Sequence, residues 1–301
     1  MSQRDVKNRI SSVQNIRKIT RAMEMVAAAR LRRAEQRIER LRPYAGAIRR
    51  MTRQAAEAAQ NVPNMPLLQD RPEASKVGLL FVTGDRGLAG AFNSQVIRAG
   101  MRAAAEYEAQ GKEVVYFATG RRGVSSLAFR KKEATGAYTG FTDRPAYANA
   151  REVAQDLMSL YEDGKLDRVE VFYNKFQSAL TQVVTREVLL PIAQATIEEA
   201  DQVEEDIQAR EGSGHSALTE YEPEPQEILE RLVPAYIEIS LFRALLESTA
   251  SEHGARMTAM RSASENAGTL IEDLTLEMNR ARQAEITQEI MEVVAGANAL
   301  S

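Results

Sequence analysis

The chain contains no cysteine and no tryptophan, and it has only two histidines in 301 residues. Without cysteine there is no disulfide, no thiol switch and no thiolate-held metal. His215 sits in an acidic, Gly/Ser-containing stretch and His253 in a long helical one, with no second imidazole near either. A histidine metal site is therefore not expected, and neither is a cofactor. No run of 18 or more apolar residues occurs, so no segment is expected to span a bilayer. The N-terminus has no apolar h-region, so a secretory signal is not expected. It is Arg-rich and amphipathic, as a transit peptide is, but its helical pattern runs well past any plausible cleavage point. Catalytic signatures are missing too: there is no G-x-S-x-G elbow, no G-x-G-x-x-G and no G-x-x-x-x-G-K-[ST]. Acidic pairs such as Glu204 and Glu205 read as solvated surface, and no catalytic constellation emerges.

Proline is absent after Pro234, and what fills that space is helix. From about Ile228 to the end, apolar or small residues recur every three or four positions: Val233, Ile237, Leu241, Ala244, Ser248, Ser251, Ala255, Ala259 and Ser262, then Leu270, Leu274, Met278 and Ala281. Such a stripe is several times longer than an ordinary globular helix of about 11–12 residues. A second stripe opens the chain, through Val6, Ile10, Val13, Ile16, Ile19, Met23 and Val26, and continues past Leu31 to about Gln60. Pro43 interrupts it and removes one backbone donor. The simplest arrangement pairs the two segments as an antiparallel coiled coil, with the small residues from Ala244 to Ser262 allowing close approach. A larger bundle, with each helix as one member, is open on pattern alone.

Between the helices the pattern changes. Lys76–Thr83 is a continuous apolar run, the mark of a central strand buried on both faces. Glu113–Ala118, Asp167–Asn174 and Thr181–Val188 are further strands, and helical patterns follow Asn93 and Gly120 and cover Tyr147–Tyr161. This alternation argues an α/β domain with a mainly parallel sheet. Gly84-Asp-Arg-Gly87-Leu-Ala-Gly90 stands where phosphate loops stand, after a strand and before a helix. No Lys follows to reach a phosphate, so a tight turn is the expectation. The segments are 1–60 (first coiled-coil helix), 76–192 (α/β domain), 193–227 (acidic linker) and 228–301 (second coiled-coil helix). The linker carries Gly212-Ser-Gly-His-Ser216 and most of the twelve acids between Glu198 and Glu230, a composition of solvated chain.

Charge is unevenly placed. Residues 1–60 hold fifteen Lys/Arg and five Asp/Glu, a net of +10, whereas from Tyr236 on there are five Arg and ten acids, a net of −5. The two helices should attract, and the first presents a basic face to something acidic. A basic helix entering a coiled coil is also how some proteins grip DNA. Here the bases are interleaved with an apolar stripe, a whole domain interrupts the helices and the sequence pI is about 5.7. Nucleic acid is not the expected partner.

Five segments resemble one family. Ile286-Thr-Gln-Glu289-Ile-Met-Glu292-Val-Val-Ala-Gly296-Ala-Asn-Ala299 resembles the C-terminal signature of the γ subunit of bacterial F-type ATP synthases. The stretch from Arg9 through Asn15 and Met23 to Ala29 resembles that family's opening, and Thr83-Gly-Asp-Arg-Gly87 through Asn93 its central turn. Glu222-Pro-Glu-Pro225 resembles its linker and Ala281-Arg-Gln-Ala284 its axle.

The resemblance implies N- and C-terminal helices paired around a central Rossmann-like α/β domain. It implies a rotor shaft without an active site, turning inside a ring of α and β subunits and docked on the c-subunit ring with the ε subunit. It further implies a peripheral position on the cytoplasmic face of the bacterial plasma membrane. By the same resemblance Met23, Arg30, Arg282, Gln283 and Thr287 face the β subunit, and Tyr221 and Glu222 meet the c ring and ε. Thiol control, as in redox-regulated plant γ subunits, is excluded by the missing cysteines. The alternative is a freestanding coiled-coil scaffold.

Overall fold

The computed structural model describes residues 3–58, 65–69, 71, 74–192 and 225–299. Most of the 193–227 linker, with Tyr221 and Glu222, lies outside the described residues. The elements are α1 (Gln3–Ala58), a 3-10 turn (Pro66–Leu68), β1 (Lys76–Val82), α2 (Phe92–Ala109), β2 (Glu113–Thr119) and α3 (Arg121–Phe129). They continue with β3 (Ala134–Tyr138), α4 (Tyr147–Glu162), β4 (Arg168–Phe176), β5 (Gln182–Leu190) and α5 (Pro225–Ala299). Two compact units divide the long helices between them. One comprises Met1–Ala29 with Arg256–Ser301, the other Arg30–Ala255.

The larger unit is built on a five-stranded sheet ordered β3-β2-β1-β4-β5. Pairings β1–β2, β1–β4 and β2–β3 are parallel, and β5 returns antiparallel beside β4. The period of two along β1 sorts its side chains onto two cores. Val77, Leu79 and Phe81 meet Val96, Ala103, Ala104 and Tyr107 of α2. Leu80 and Val82 join the other core with Val153, Leu157 and Tyr161 of α4 and with Ile237, Leu241 and Leu245 of α5. A strand covered on both faces explains the unbroken apolar run at Lys76–Val82.

Gly100 of α2 is fixed by this packing: a Cβ there would lie 1.9 Å from the Phe81 ring. Gly100→Ala should destabilise the unit by about 1–3 kcal/mol, because the ring has no room to give in a close-packed core. Urea denaturation followed by circular dichroism checks this, and an unchanged midpoint would refute the packing argument.

One carboxylate is taken into the sheet. Glu170 of β4 is 1% exposed, and it accepts bonds from Tyr107 Oη (2.7 Å), Arg168 Nε (2.9 Å) and, on its second oxygen, Arg186 Nε (2.8 Å). Burial alone would raise its pKa. The bonds from Arg186, Tyr107 and Arg168 outweigh that and hold the carboxyl below the ordinary glutamate range.

The smaller unit is an antiparallel helix pair. The amide of Gln3 donates to Glu285 Oε1 (3.3 Å), Arg17 lies beside Gly268, and Arg261 Nε donates to Glu24 Oε1 (2.9 Å). Residue numbers rise on one helix as they fall on the other.

The buried seam differs from the apolar stripe expected from sequence. On α1 it runs through Val6, Thr20 and Ala27, with Ile10, Val13, Met23 and Glu24 half-buried. On α5 it runs through Met260, Ser264, Ala267 and Leu274, with Ile271, Met278 and Ala281 half-buried. Steps of four and three are the 3.5-residue repeat of a coiled coil. Ile16, Ile19 and Val26 are 51%, 59% and 53% exposed and fall off the seam, as do Ser262 and Leu270. The 3.6-residue reading followed hydrophobicity, whereas the seam follows the supercoil and accepts small or polar residues. Thr20 shows how: its hydroxyl donates to its own helix at Arg17 O (3.1 Å), which leaves the methyl to pack.

Ile16→Ser together with Ile19→Ser should therefore change helix-pair stability by no more than about 0.5 kcal/mol per site. Thermal denaturation tests it, and a loss of several kcal/mol would return these residues to the seam.

One cross-helix ion pair also runs against the net charges. The acidic helix supplies the cation, Arg261, and the basic one the anion, Glu24. The small stretch from Ala244 has another use as well. Ser251 Oγ donates to Asn174 O (2.9 Å) and Thr249 Oγ1 to Thr142 O (2.9 Å), so hydroxyls of α5 anchor to the sheet and its loops. Ala250 meets Leu31 and Ala34 of α1, where the close approach of the two helices is realised.

Candidate partner-binding surfaces

The strand-to-helix turn was the one candidate phosphate loop, and the amides of its first two residues already have acceptors within the protein. Gly84 N donates to Asn93 Oδ1 (2.8 Å) and Asp85 N to Thr142 Oγ1 (2.8 Å). The Asp85 carboxylate accepts from Arg121 N, Gly140 N, Thr142 N and Thr142 Oγ1, all between 2.9 and 3.2 Å. Burial would raise this carboxyl, but the amides of Gly140, Arg121 and Thr142 and the Thr142 hydroxyl together hold it below the usual aspartate value. The loop ties α2, α3 and the Gly140–Thr142 segment together. The sequence offered no sign of this role for Asp85 beyond its place in the turn.

In the helix-pair unit, Met23 is half-buried on α1. Arg282, Gln283 and Thr287 are exposed on α5, and the Thr287 hydroxyl donates to Gln283 O (2.8 Å) one turn back. Beyond the Gln3–Glu285 contact, every α5 residue from Ile286 to Ala295 is exposed. Ile290, Met291 and Val293 are 57%, 65% and 73% exposed, a run of apolar side chains in water. Exposed apolar surface of this kind marks a place where another protein sits.

In the larger unit, Arg30 is held at home. Its Nη1 lies 2.7 Å and 2.5 Å from the two carboxylate oxygens of Asp143, and His253 Nε2 is 3.7 Å from the first of these. Arg37 donates to the carbonyl of Pro145. The residues expected from sequence to meet a partner thus belong to different units: Met23, Arg282, Gln283 and Thr287 to the helix pair, Arg30 to the sheet-bearing unit.

A family model described as ATP synthase matches residues 2–300. The ATP synthase gamma chain of Rubrobacter xylanophilus is 41% identical over 302 residues, covering all of this chain and 99% of that one. That of Desulfitobacterium hafniense is 43% identical over 301 residues, covering 99% of each. The chain belongs to the ATP synthase γ chain family. Among solved structures, the central stalk and c-ring of the Tetrahymena thermophila mitochondrial ATP synthase contains a chain 26% identical to this γ chain, with a TM-score of 0.61. The match covers 82% of this chain and 99% of that one. A chain of the OSCP/F1/c-ring assembly of the Euglena gracilis mitochondrial ATP synthase shares the fold at 17% identity and a TM-score of 0.67 over 99% of this chain. No helix among the described residues is long and apolar enough to cross a membrane.

Proposed function

We propose that this γ chain is the central rotor shaft of an F-type ATP synthase, coupling proton-driven rotation of the c ring to ATP synthesis in a ring of α and β subunits. The observation that carries the reading is family membership along the full length, joined to a paired helix whose apolar stretch from Ile286 to Ala295 is exposed. A single asymmetric shaft inside a three-fold ring meets three copies differently, so it biases each catalytic subunit toward a different state at any moment.

Chemistry belongs to the ring, and this chain is non-catalytic. Its proposed contacts with β are Met23, Arg30, Arg282, Gln283 and Thr287. Tyr221 and Glu222 are proposed to meet the c ring and ε. The assembled chain is peripheral to the membrane, on the cytoplasmic face of a bacterial plasma membrane.

Arg30 would act through the Asp143 pair. An acidic loop arriving at Arg30 has to compete with a carboxylate already at 2.5–2.7 Å, so the contact is an exchange of partners.

Co-purification tests the role. Tagged chain expressed with α and β should come away with both, and ATP hydrolysis should appear only in that complex. A chain that purifies alone under those conditions, or that hydrolyses ATP unaided, would refute it.

A further inference from the structure

Within the larger unit, one wall of α1 carries Arg30, Arg33, Arg37 and Arg40 at steps of three and four, on a single face of the helix. Opposite them stand Arg144, from the loop before α4, and His253 of α5. Together they line a cleft of about 490 Å³.

We propose that this cleft binds a small, multiply charged oxyanion of the phosphate type, with pyrophosphate as its simplest representative. Five guanidinium groups face it, and the one carboxylate in its lining, Asp143, is already bonded to Arg30 and close to His253. Arg33, Arg40 and Arg144 form no ion pair among the described residues. Like charges at helical steps of three and four repel, and an anion bound among them relieves that repulsion.

The arginines are also positioned before any ligand comes. Arg30 is braced by Asp143 and Arg37 by the Pro145 carbonyl. Burial and the nearby Arg144 both disfavour the Arg37 cation, and a bound anion relieves the second of these directly. Guanidinium forks match the oxygens of a phosphate two at a time.

The shape selects among anions. Donors converge from α1, the loop and α5 on a concave volume, which suits a compact ion better than the flat run of an acidic helix. Ala34 is the sole aliphatic side chain in the lining, so a ligand is held there chiefly through its charge. ATP should bind no more tightly than pyrophosphate.

Titration calorimetry of the full-length chain with pyrophosphate, at fixed ionic strength, tests this. Saturable binding is expected, weakened by about tenfold or more in Arg33→Gln/Arg144→Gln and unchanged in Arg98→Gln/Arg102→Gln, which lie outside the cleft. No saturable heat, full binding in the first double variant, or equal loss in the second overturns the proposal. If the first variant does not fold, phosphorus-31 line broadening of pyrophosphate on the unaltered chain decides: reversal by sulfate but not by chloride supports the site, and reversal by both overturns it. A polyglutamate peptide that binds these arginines and is not displaced by pyrophosphate would assign the cleft to an acidic protein segment instead.

Discussion

Glu170→Ala should lower the stability of the sheet-bearing unit by about 3 kcal/mol. Removing one member of a buried ion cluster costs roughly 3–5 kcal/mol, because the remaining charges keep their desolvation and lose their partner. Here the lower end applies. Arg168 and Arg186 keep 33% and 41% of their side chains exposed, so water recovers part of the loss. The Tyr107 hydroxyl, 2.7 Å from the missing oxygen, has less recourse, since Tyr107 is 7% exposed.

For a unit of this size the change amounts to a fall of roughly 6–12 °C in Tm. The effect should depend on pH with a definite sign. The Glu170 carboxyl is held below its unfolded value, near 4.3. Its contribution is therefore complete above that pH and is lost as pH falls through the folded pKa. Scanning calorimetry at pH 7 and below pH 4 should show the gap between the two proteins closing in acid. A gap that stays constant would mean that lost packing rather than charge accounts for the effect.

The Glu170 cluster shows what a sequence can and cannot disclose. β4 was legible as a strand because its neighbours are apolar, and the position of Glu170 within it gave no hint that Arg186, sixteen residues on, would reach the same carboxylate. That contact is created by the antiparallel return of β5, which is a fact of topology.

β3 was missed for a local reason. Ala134-Thr-Gly-Ala-Tyr138 holds a glycine and two alanines, residues poor in strand propensity, and it forms because β2 offers an open parallel edge. The second long helix was legible from proline's absence after Pro234, and both were legible from periodicity. Their facing was not, because Ile16 and Ile19 outweigh Thr20 and Ala27 in hydrophobicity while the supercoil turns the latter inward. Arg30 was recognisable as part of a basic face. Its commitment to Asp143, 113 residues away, was not.

The last expected result concerns the end of α5. Arg282→Ala combined with Gln283→Ala should reduce proton-driven ATP synthesis by about tenfold or more, whereas deleting Ala297 to Ser301 should leave most of it intact. Past Glu285 the helix has no described partner on α1, and its apolar side chains stand in water. The tail continues as Val293, Val294, Ala295, Gly296 and Ala297, which offer almost nothing able to hold a directional bond.

A shaft that turns must break each directional bond it makes before reaching the next subunit. A bond to a charged group is worth roughly 1.5–3 kcal/mol. Contacts between apolar atoms are worth about 0.1–0.2 kcal/mol each and have no preferred angle, so a small-residue tip slides past its surroundings on a nearly level surface. Stops at defined angles need the stronger kind of contact. Arg282 and Gln283 are exposed and carry groups able to supply it, while the Thr287 hydroxyl is already turned back to Gln283 O. Losing even one such bond removes about 1.5 kcal/mol or more of angular preference, which sets the tenfold scale. Membrane vesicles carrying the complete complex and energised by a proton gradient provide the measurement. If the deletion proves the more damaging change, the tip grips its surroundings and the level-surface argument is wrong.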